Sequence, residues 1–289
     1  MRIGAIEAGG TKMVLAVGDE NGNILERMSI PTEAPEVTMP KMIAYFKERN
    51  VERLGIGCFG PVCLDKNSPK YGHILATPKV LWKDCDFLGI MQRALNIPMG
   101  IDTDVNASAI GEATWGVSKD VDSSIYITIG TGVGVGVIVD GKPVHGMLHP
   151  EGGHILLQRY PGDDFKCNCL FHECCMEGMA AGPAIQKRWG KPAVELADCK
   201  EVWELEAFYI AQALMNYILI LSPKRIILGG GVMHQEHLMP LVRAKVKELM
   251  NGYIVTDEMD DLEHYIVLPG LNDNQGIMGC IKIALDADN

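Results

Sequence analysis

At 289 residues, 47% of them apolar and 22% charged, the chain exceeds one ordinary hydrophobic core and calls for two folded domains. Its 26 basic against 37 acidic residues leave a formal charge of −11, which argues against nucleic acid or an anionic membrane as a partner. Nine cysteines are an odd number for a secreted disulfide framework, and the crowding of four between Cys167 and Cys175 points to metal chemistry in a reducing cytoplasm.

The chain enters a strand at once, Ile3-Gly4-Ala5-Ile6, with no apolar leader and no basic reading head before it. Glu7-Ala8-Gly9-Gly10-Thr11-Lys12 makes a turn into a second strand, Met13 to Val17, and after Asn21-Gly22-Asn23 a third begins at Ile24. Glycines in such a turn supply positive φ, and they also let backbone amides approach an anion unobstructed. An amphipathic helix is expected over 39–49 and a strand over 54–57. Cys58-Phe59-Gly60-Pro61-Val62 then makes a turn, and Thr77-Pro78-Lys79 precedes Trp82, a ring suited to the core or to the face of a sugar.

Pro98-Met99-Gly100-Ile101 reads as a short strand that ends at Asp102. From Asp104 the spacing turns helical, with Val105, Ala109 and Ala113 on one face, so a carboxylate at Asp104 suits an N-cap or, standing between two glycine turns built for phosphates, a general base. The strand, Gly-Thr turn, strand plan returns at Ile125 to Ile129, Gly130-Thr131-Gly132-Val133-Gly134 and Val137-Ile138-Val139. This run of 125–139 carries four glycines and is too short to span a bilayer as a helix. The repetition marks an internal duplication: two related α/β domains with a cleft between them. The expected domains are 1–115, with the segment 275–289 packing back on it, and 116–274.

Beyond the second turn come Glu151-Gly152-Gly153-His154, the cysteine-rich stretch 167–175, and a helix over 176–189 with a kink at Gly182-Pro183. A long helix follows over 201–221, its stripe of Ala207, Ile210, Ala211, Leu214, Tyr217 and Ile218 facing the core. Strand Ile226-Ile227-Leu228, then Gly229-Gly230-Gly231-Val232 and a helix over 237–251 fit a ligand passing close to backbone. The last elements are strand Ile266-Val267-Leu268, the loop Gly270-Leu271-Asn272-Asp273-Asn274 and a helix over 275–285.

In their order, these stretches resemble the ROK family of sugar kinases and repressors, within the actin-like (ribonuclease H-like) ATPase fold. The start at Glu7, Cys58 to Val62, Thr77-Pro78-Lys79 and Cys169-x-x-His172-x-x-Cys175 are similar to its bacterial fructokinase branch. Four positions depart from the pattern: Glu7 for the usual Asp, Thr103 for Asn, and Val80-Leu81 before Trp82 in place of Pro-Gly.

The resemblance implies an ATP-dependent kinase that phosphorylates D-fructose, with glucose, mannose or an N-acetylhexosamine as alternatives and a non-catalytic sugar sensor as a remote one. Asp104 is then the general base, and Gly9, Gly10, Thr11, Lys12, Gly130, Thr131 and Gly132 hold the phosphates of ATP. Pro183 and Gly229, Gly230, Gly231 and Val232 complete the ATP site, with Mg²⁺ on the phosphates and Glu7 assisting it through water. Asn106, Glu151, His154 and Glu177 hold the sugar, and a homodimer is implied. His154, Cys169, His172 and Cys175 form a donor set suited to structural tetrahedral Zn²⁺, with Cys167 and Cys174 as rival ligands.

Overall fold

In the computed structural model, which describes residues 1–77 and 79–287, the chain opens with β1 (Ile3–Ala8), β2 (Lys12–Gly18), β3 (Ile24–Pro31), α1 (Pro35–Glu48) and β4 (Arg53–Cys58). There follow α2 (Phe87–Leu95), β5 (Met99–Thr103), α3 (Asp104–Thr114), β6 (Ser124–Ile129), β7 (Val133–Val139) and β8 (Lys142–Pro143). Next come α4 (Met176–Ala180), α5 (Gly182–Trp189), α6 (Lys200–Leu221), β9 (Arg225–Gly229) and α7 (Leu238–Met250). Two single turns, α8 (Asp257–Asp260) and α9 (Leu262–Tyr265), lead to β10 (Ile266–Val267) and α10 (Gln275–Leu285). Pro78, within the Thr77-Pro78-Lys79 stretch, and the last two residues lie outside the described ones.

Two five-stranded sheets result, ordered β3-β2-β1-β4-β5 and β10-β9-β6-β7-β8. Taken from β8, the second runs β8-β7-β6-β9-β10, which repeats the positions of the first five strands one for one. The duplication legible in the two Gly-Thr turns therefore extends to strand order. In the first sheet β1 pairs antiparallel with β2 and parallel with β4, and β4 pairs parallel with β5; in the second, β6 is parallel to β9.

The chain divides into two compact units. Unit 1 comprises Met1–Asp122, Gly136–Pro150 and Gly270–Asn289, and unit 2 comprises Ser123–Val135 and Glu151–Pro269. Within unit 1 the sheet is buried on both faces, and side-chain alternation sorts the two cores. Met13, Leu15 and Val17 of β2 join Met42, Phe46, Phe87 and Met91 of α1 and α2. Val14 and Ala16, with Ile3 and Ala5 of β1, join Ala107 of α3 and Ile277, Cys280 and Ile281 of α10.

This second face is lined with small residues because α10 lies almost backbone to backbone on its neighbours. A Cβ on Gly279 would fall 1.6 Å from the Ala107 carbonyl oxygen of α3, and one on Gly55 of β4 would fall 1.8 Å from the Cys280 carbonyl oxygen. In unit 2, α6 is long and apolar enough to cross a membrane by length and composition, and its Trp203, Tyr209 and Leu214 are fully buried.

The single kinked helix expected over 176–189 is instead two helices. Ala181 is extended (φ −70°, ψ 156°) between α4 and α5, and Pro183 stands in the first turn of α5. A proline there loses no hydrogen bond and has its φ already set, so it starts a helix where an interior position would bend one. Gly182 N donates to the Gly130 carbonyl at 2.8 Å, which fixes the break against the second glycine turn.

Because rigid backbone, and no flexible side chain, occupies the space above Gly279, Gly279→Ala forces α10 off α3. We expect a loss of about 1–3 kcal/mol or more in urea unfolding; an unchanged midpoint would contradict this packing.

Candidate active site

The strand-to-helix joint of unit 1 carries the residue singled out as a base. Thr103, and not Asp104, is the N-cap of α3: its Oγ1 accepts the Asn106 N–H at 3.0 Å, the bond that satisfies a first-turn amide. Asp104 is the first helical residue, and its Oδ1 accepts the Val105 N–H at 2.8 Å. The hydroxyl does the capping that the sequence pattern assigned to the carboxylate. Asp104 is left at the positive end of the helix dipole.

Beneath this joint is a buried polar network that sequence reasoning missed. Asp102, only 4% exposed, accepts the Thr103 N–H at 2.7 Å and the Asn106 Nδ2 at 2.7 Å through Oδ1, and its Oδ2 lies 2.9 Å from His145 Nε2. Since a carboxylate only accepts, it fixes which way the Asn106 amide faces. Asn106 Oδ1 is buried with no partner among the described residues, an acceptor turned away from Asp102. The hydrogen bond to Asp102 raises the His145 pKa, against the opposing effect of burial. Both residues also line a cavity of about 750 Å³ within unit 1, together with Tyr71, Ile101 and Ile110.

The first glycine turn is tied down through its carbonyls. Gly9 N donates to the Lys12 carbonyl at 3.0 Å, Thr32 Oγ1 donates to the Gly9 carbonyl at 2.7 Å, and Thr32 N donates to the Thr11 carbonyl at 3.0 Å. Glu7, at the end of β1, is pushed up in pKa by burial, while Arg27 and Lys12 oppose the shift. Trp82 is a core side chain with no face for a sugar: it is 2% exposed, its Nε1 donates to the Glu33 carbonyl at 2.8 Å, and Phe59 and Phe87 pack against it.

A second carboxylate without a forecast role is Glu112, fully buried at the far end of α3. It accepts the N–H groups of Val117 at 2.9 Å, Gly270 at 2.9 Å and Leu271 at 3.3 Å, and so anchors the loop that leads into α10. Its only signal in the sequence is an acidic residue among the small and apolar residues from Ala107 to Ala113.

Unit 2 gathers its own predicted residues. Gly130 N donates to the Gly132 carbonyl at 2.9 Å, while Gly182, beside Pro183, donates to the Gly130 carbonyl. Gly230 (φ +89°) lies against the backbone of Ile129, where a Cβ would come within 2.5 Å of a carbonyl oxygen, and this brings Gly229 to Gly231 beside the same turn. Thr131 is exposed at the tip, whereas the Val232 side chain is buried. Glu177 Oε2 accepts the Val133 N–H at 3.0 Å, and its Oε1 lies 3.9 Å from His154 Nε2. One carboxylate thus braces the second glycine turn and also adjoins the histidine of the Cys/His cluster. Glu151 is exposed just before the short turn Gly152–His154.

The ligand atoms of His154, Cys169, His172 and Cys175 all lie within 4.8 Å of one another. Cys169 Sγ is 3.9 Å from His154 Nδ1 and 3.4 Å from His172 Nδ1, and Cys175 Sγ is 3.7 Å from His154 Nδ1. A tetrahedron with Zn–S of about 2.3 Å and Zn–N of about 2.0 Å has edges of about 3.3–3.8 Å, so the donor set fits zinc. Sulfurs of Cys169 and Cys175 also accept the N–H groups of Phe171 and Gly178, each at 3.4 Å, as thiolates at a metal do. Cys167 and Cys174 stand outside the group. Burial pushes the Cys175 thiol to about 12, so a bound cation is what would hold it ionised.

Two measurements test these groupings. His145 has a folded pKa above its unfolded value, so the stability it contributes is complete below about pH 6 and fades as pH rises through the folded value. The Tm gap between the wild type and His145→Gln should therefore narrow from pH 6 toward pH 9, and a gap that widens would refute the pairing. Mass spectrometry under native conditions should find zinc bound to the purified chain and lost in Cys175→Ser; a metal-free wild type would remove the metal reading.

The sequence profile of the ROK family matches residues 3–287. The chain is 49% identical to the fructokinase of Pediococcus pentosaceus over 284 residues, covering 98% of each chain. It is 44% identical to the fructokinase of Zymomonas mobilis over 295 aligned positions, covering 99% of this chain and 97% of that one. In fold it matches a ROK family glucokinase from Streptomyces griseus, solved in complex with glucose and AMPPNP, with a TM-score of 0.77 at 23% identity, covering 99% and 100% of the two chains. Both duplicated sheets and the whole length of the chain are accounted for by this likeness: the protein belongs to the ROK family and has its actin-like α/β ATPase fold.

Proposed function

We propose that the protein is an ATP-dependent fructokinase that transfers the terminal phosphoryl group of ATP to the 6-hydroxyl of D-fructose. The observation that carries it is Asp104. This carboxylate is fixed on the first turn of α3, in a chain that aligns over nearly its whole length with proteins named fructokinase.

In this reading the sugar hydroxyl, a weak nucleophile at neutral pH, gives its proton to Asp104 as its oxygen bonds to phosphorus. Amides of Gly10 and Thr11, and of Thr131 and Gly132, hold the phosphate chain, with Gly9 and Gly130 closing the two turns through their own N–H groups and Lys12 beside the first turn. Gly229 to Gly231 with Val232, and Pro183, would lie along the adenosine. Mg²⁺, when bound, neutralises phosphate oxygens, with Glu7 the side chain of the first turn placed to assist. Asn106 offers its unpartnered Oδ1 to a sugar hydroxyl, and Glu151, His154 and Glu177 offer further polar contacts. His154 cannot give one nitrogen both to zinc and to the sugar. Its Nδ1 faces the two sulfurs and its Nε2 faces Glu177, which allows the two duties to be divided.

Zinc at His154, Cys169, His172 and Cys175 would be structural, stiffening the segment that bears His154 and Glu177. Nine free cysteines suit a cytoplasmic setting, and the reading includes a homodimer. A coupled assay of ADP release over a panel of hexoses tests the proposal. D-fructose should give the highest kcat/KM, and Asp104→Asn should lower kcat by about 100- to 10,000-fold. Turnover of that variant near the wild-type level would refute Asp104 as the base, and preference for glucose, mannose or an N-acetylhexosamine would reassign the substrate.

A further inference from the structure

The glycine turn that opens unit 1 has a cation lying on it. A Cβ on Gly10 would fall 2.8 Å from Lys79 Cε and 3.5 Å from Lys79 Nζ, so the lysine side chain occupies the space a larger residue would fill. Lys79 is exposed, and among the described residues its ammonium has no ion-pair or hydrogen-bond partner. Several lysines of this unit do pair with carboxylates, among them Lys41 with Glu33, Lys70 with Asp84 and Lys282 with Asp286. In a chain with an excess of 11 negative charges, an unpaired ammonium folded down onto a glycine turn is held there by geometry and not by a counter-charge.

Its backbone supplies that geometry. Lys79 N donates to Thr77 Oγ1 at 3.3 Å, and the Lys79 carbonyl accepts the Trp82 N–H at 2.8 Å to open the short turn Val80–Trp82. Trp82 is the anchor. Its indole is buried between Phe59 and Phe87 and bonded to the Glu33 carbonyl, while Val80 and Leu81 stay exposed. The buried ring therefore fixes the segment whose lysine reaches Gly10.

We propose that Lys79 is a catalytic residue whose ammonium, placed over Gly10, binds the terminal phosphoryl group of ATP and neutralises its charge during transfer. This rests on the kinase reading above. In the step, the sugar oxygen forms a bond to the γ-phosphorus as the bond from that phosphorus to the β–γ bridging oxygen breaks. The electron pair of the broken bond leaves on ADP, the hydroxyl proton goes to Asp104, and Lys79 keeps its own proton throughout. A cation fixed beforehand where charge spreads in the transition state requires no reorganisation at the moment of reaction, which is why such groups weigh heavily. Lysine suits the task as a compact point charge able to follow oxygens that move.

Lys79→Met and Lys79→Arg, at an exposed position, should fold as the wild type does. For Lys79→Met we expect kcat/KM for ATP to fall about 100-fold, the size found on removing one such electrostatic contact. Affinity for AMP, measured by calorimetry, should stay unchanged while that for ATP weakens, because AMP has no terminal phosphoryl group to contact. Lys79→Arg, which keeps the charge, should recover most of the loss. A Lys79→Met enzyme with wild-type kcat/KM, an equal weakening toward AMP and ATP, or an arginine variant as impaired as the methionine one would each overturn the assignment. Absence of hexose-dependent ADP release by the wild type would instead fell the kinase reading, and this proposal with it.

Discussion

The contact on which unit 1 depends is one between backbones. Where α10 crosses α3 and β4, Gly279 and Gly55 leave no room for even a methyl group, and the carbonyls of Ala107 and Cys280 fill the space. Such close approach locks the axial position of α3, since a packed interface of main chain cannot slide to relieve strain. Asp104 and Asn106 sit on the first turn of that helix, so the roles proposed for them would depend on glycines that take no part in the reaction. Cys280 adds a further tie, its Sγ 3.0 Å from the Ile6 carbonyl of β1.

The two ends of α3 are then secured by polar groups of different kinds. At its start a neutral hydroxyl, Thr103, caps the helix, while the buried carboxylate of Asp102 orients the Asn106 amide and engages His145. At its end the buried carboxylate of Glu112 gathers three backbone amides and holds the loop at Gly270. Each buried carboxylate has donors on it, which is the condition for keeping a charge away from water. The first-turn amides are thus shared out: Thr103 takes the Asn106 N–H, Asp102 the Thr103 N–H and Asp104 the Val105 N–H.

Unit 2 couples its parts through Glu177. One oxygen accepts the amide of Val133 at the second glycine turn, and the other faces the ring of His154, whose Nδ1 belongs to the Cys/His group. The break at Ala181 has the same logic. Gly182 donates to the Gly130 carbonyl, so the start of α5 is pinned to the turn that α4, through Glu177, braces from the other side. Cysteines, histidine, carboxylate and glycine turn are thus joined in one connected assembly.

What the sequence by itself determined was everything written in local pattern. Alternating apolar residues and paired Gly-Thr turns specify two related halves, because side-chain direction in a strand has a period of two and tight turns demand glycine. Cys-x-x-His-x-x-Cys specifies a cluster because so short a spacing keeps its ligands together, and the fourth, His154, was also legible. Tertiary structure decided whatever depends on partners distant in the chain. That Thr103 and not Asp104 caps α3 turned on where the backbone enters the helix: Thr103 is still extended (φ −71°, ψ 157°) and Asp104 is already helical. Asp102 meeting His145, Glu112 reaching Gly270, and Lys79 lying over Gly10 join positions 43, 158 and 69 residues apart, and no local periodicity encodes such meetings. Trp82 shows the same limit: a tryptophan's composition suits a core or a sugar face alike, and only the rings of Phe59 and Phe87 closing on it settled the matter.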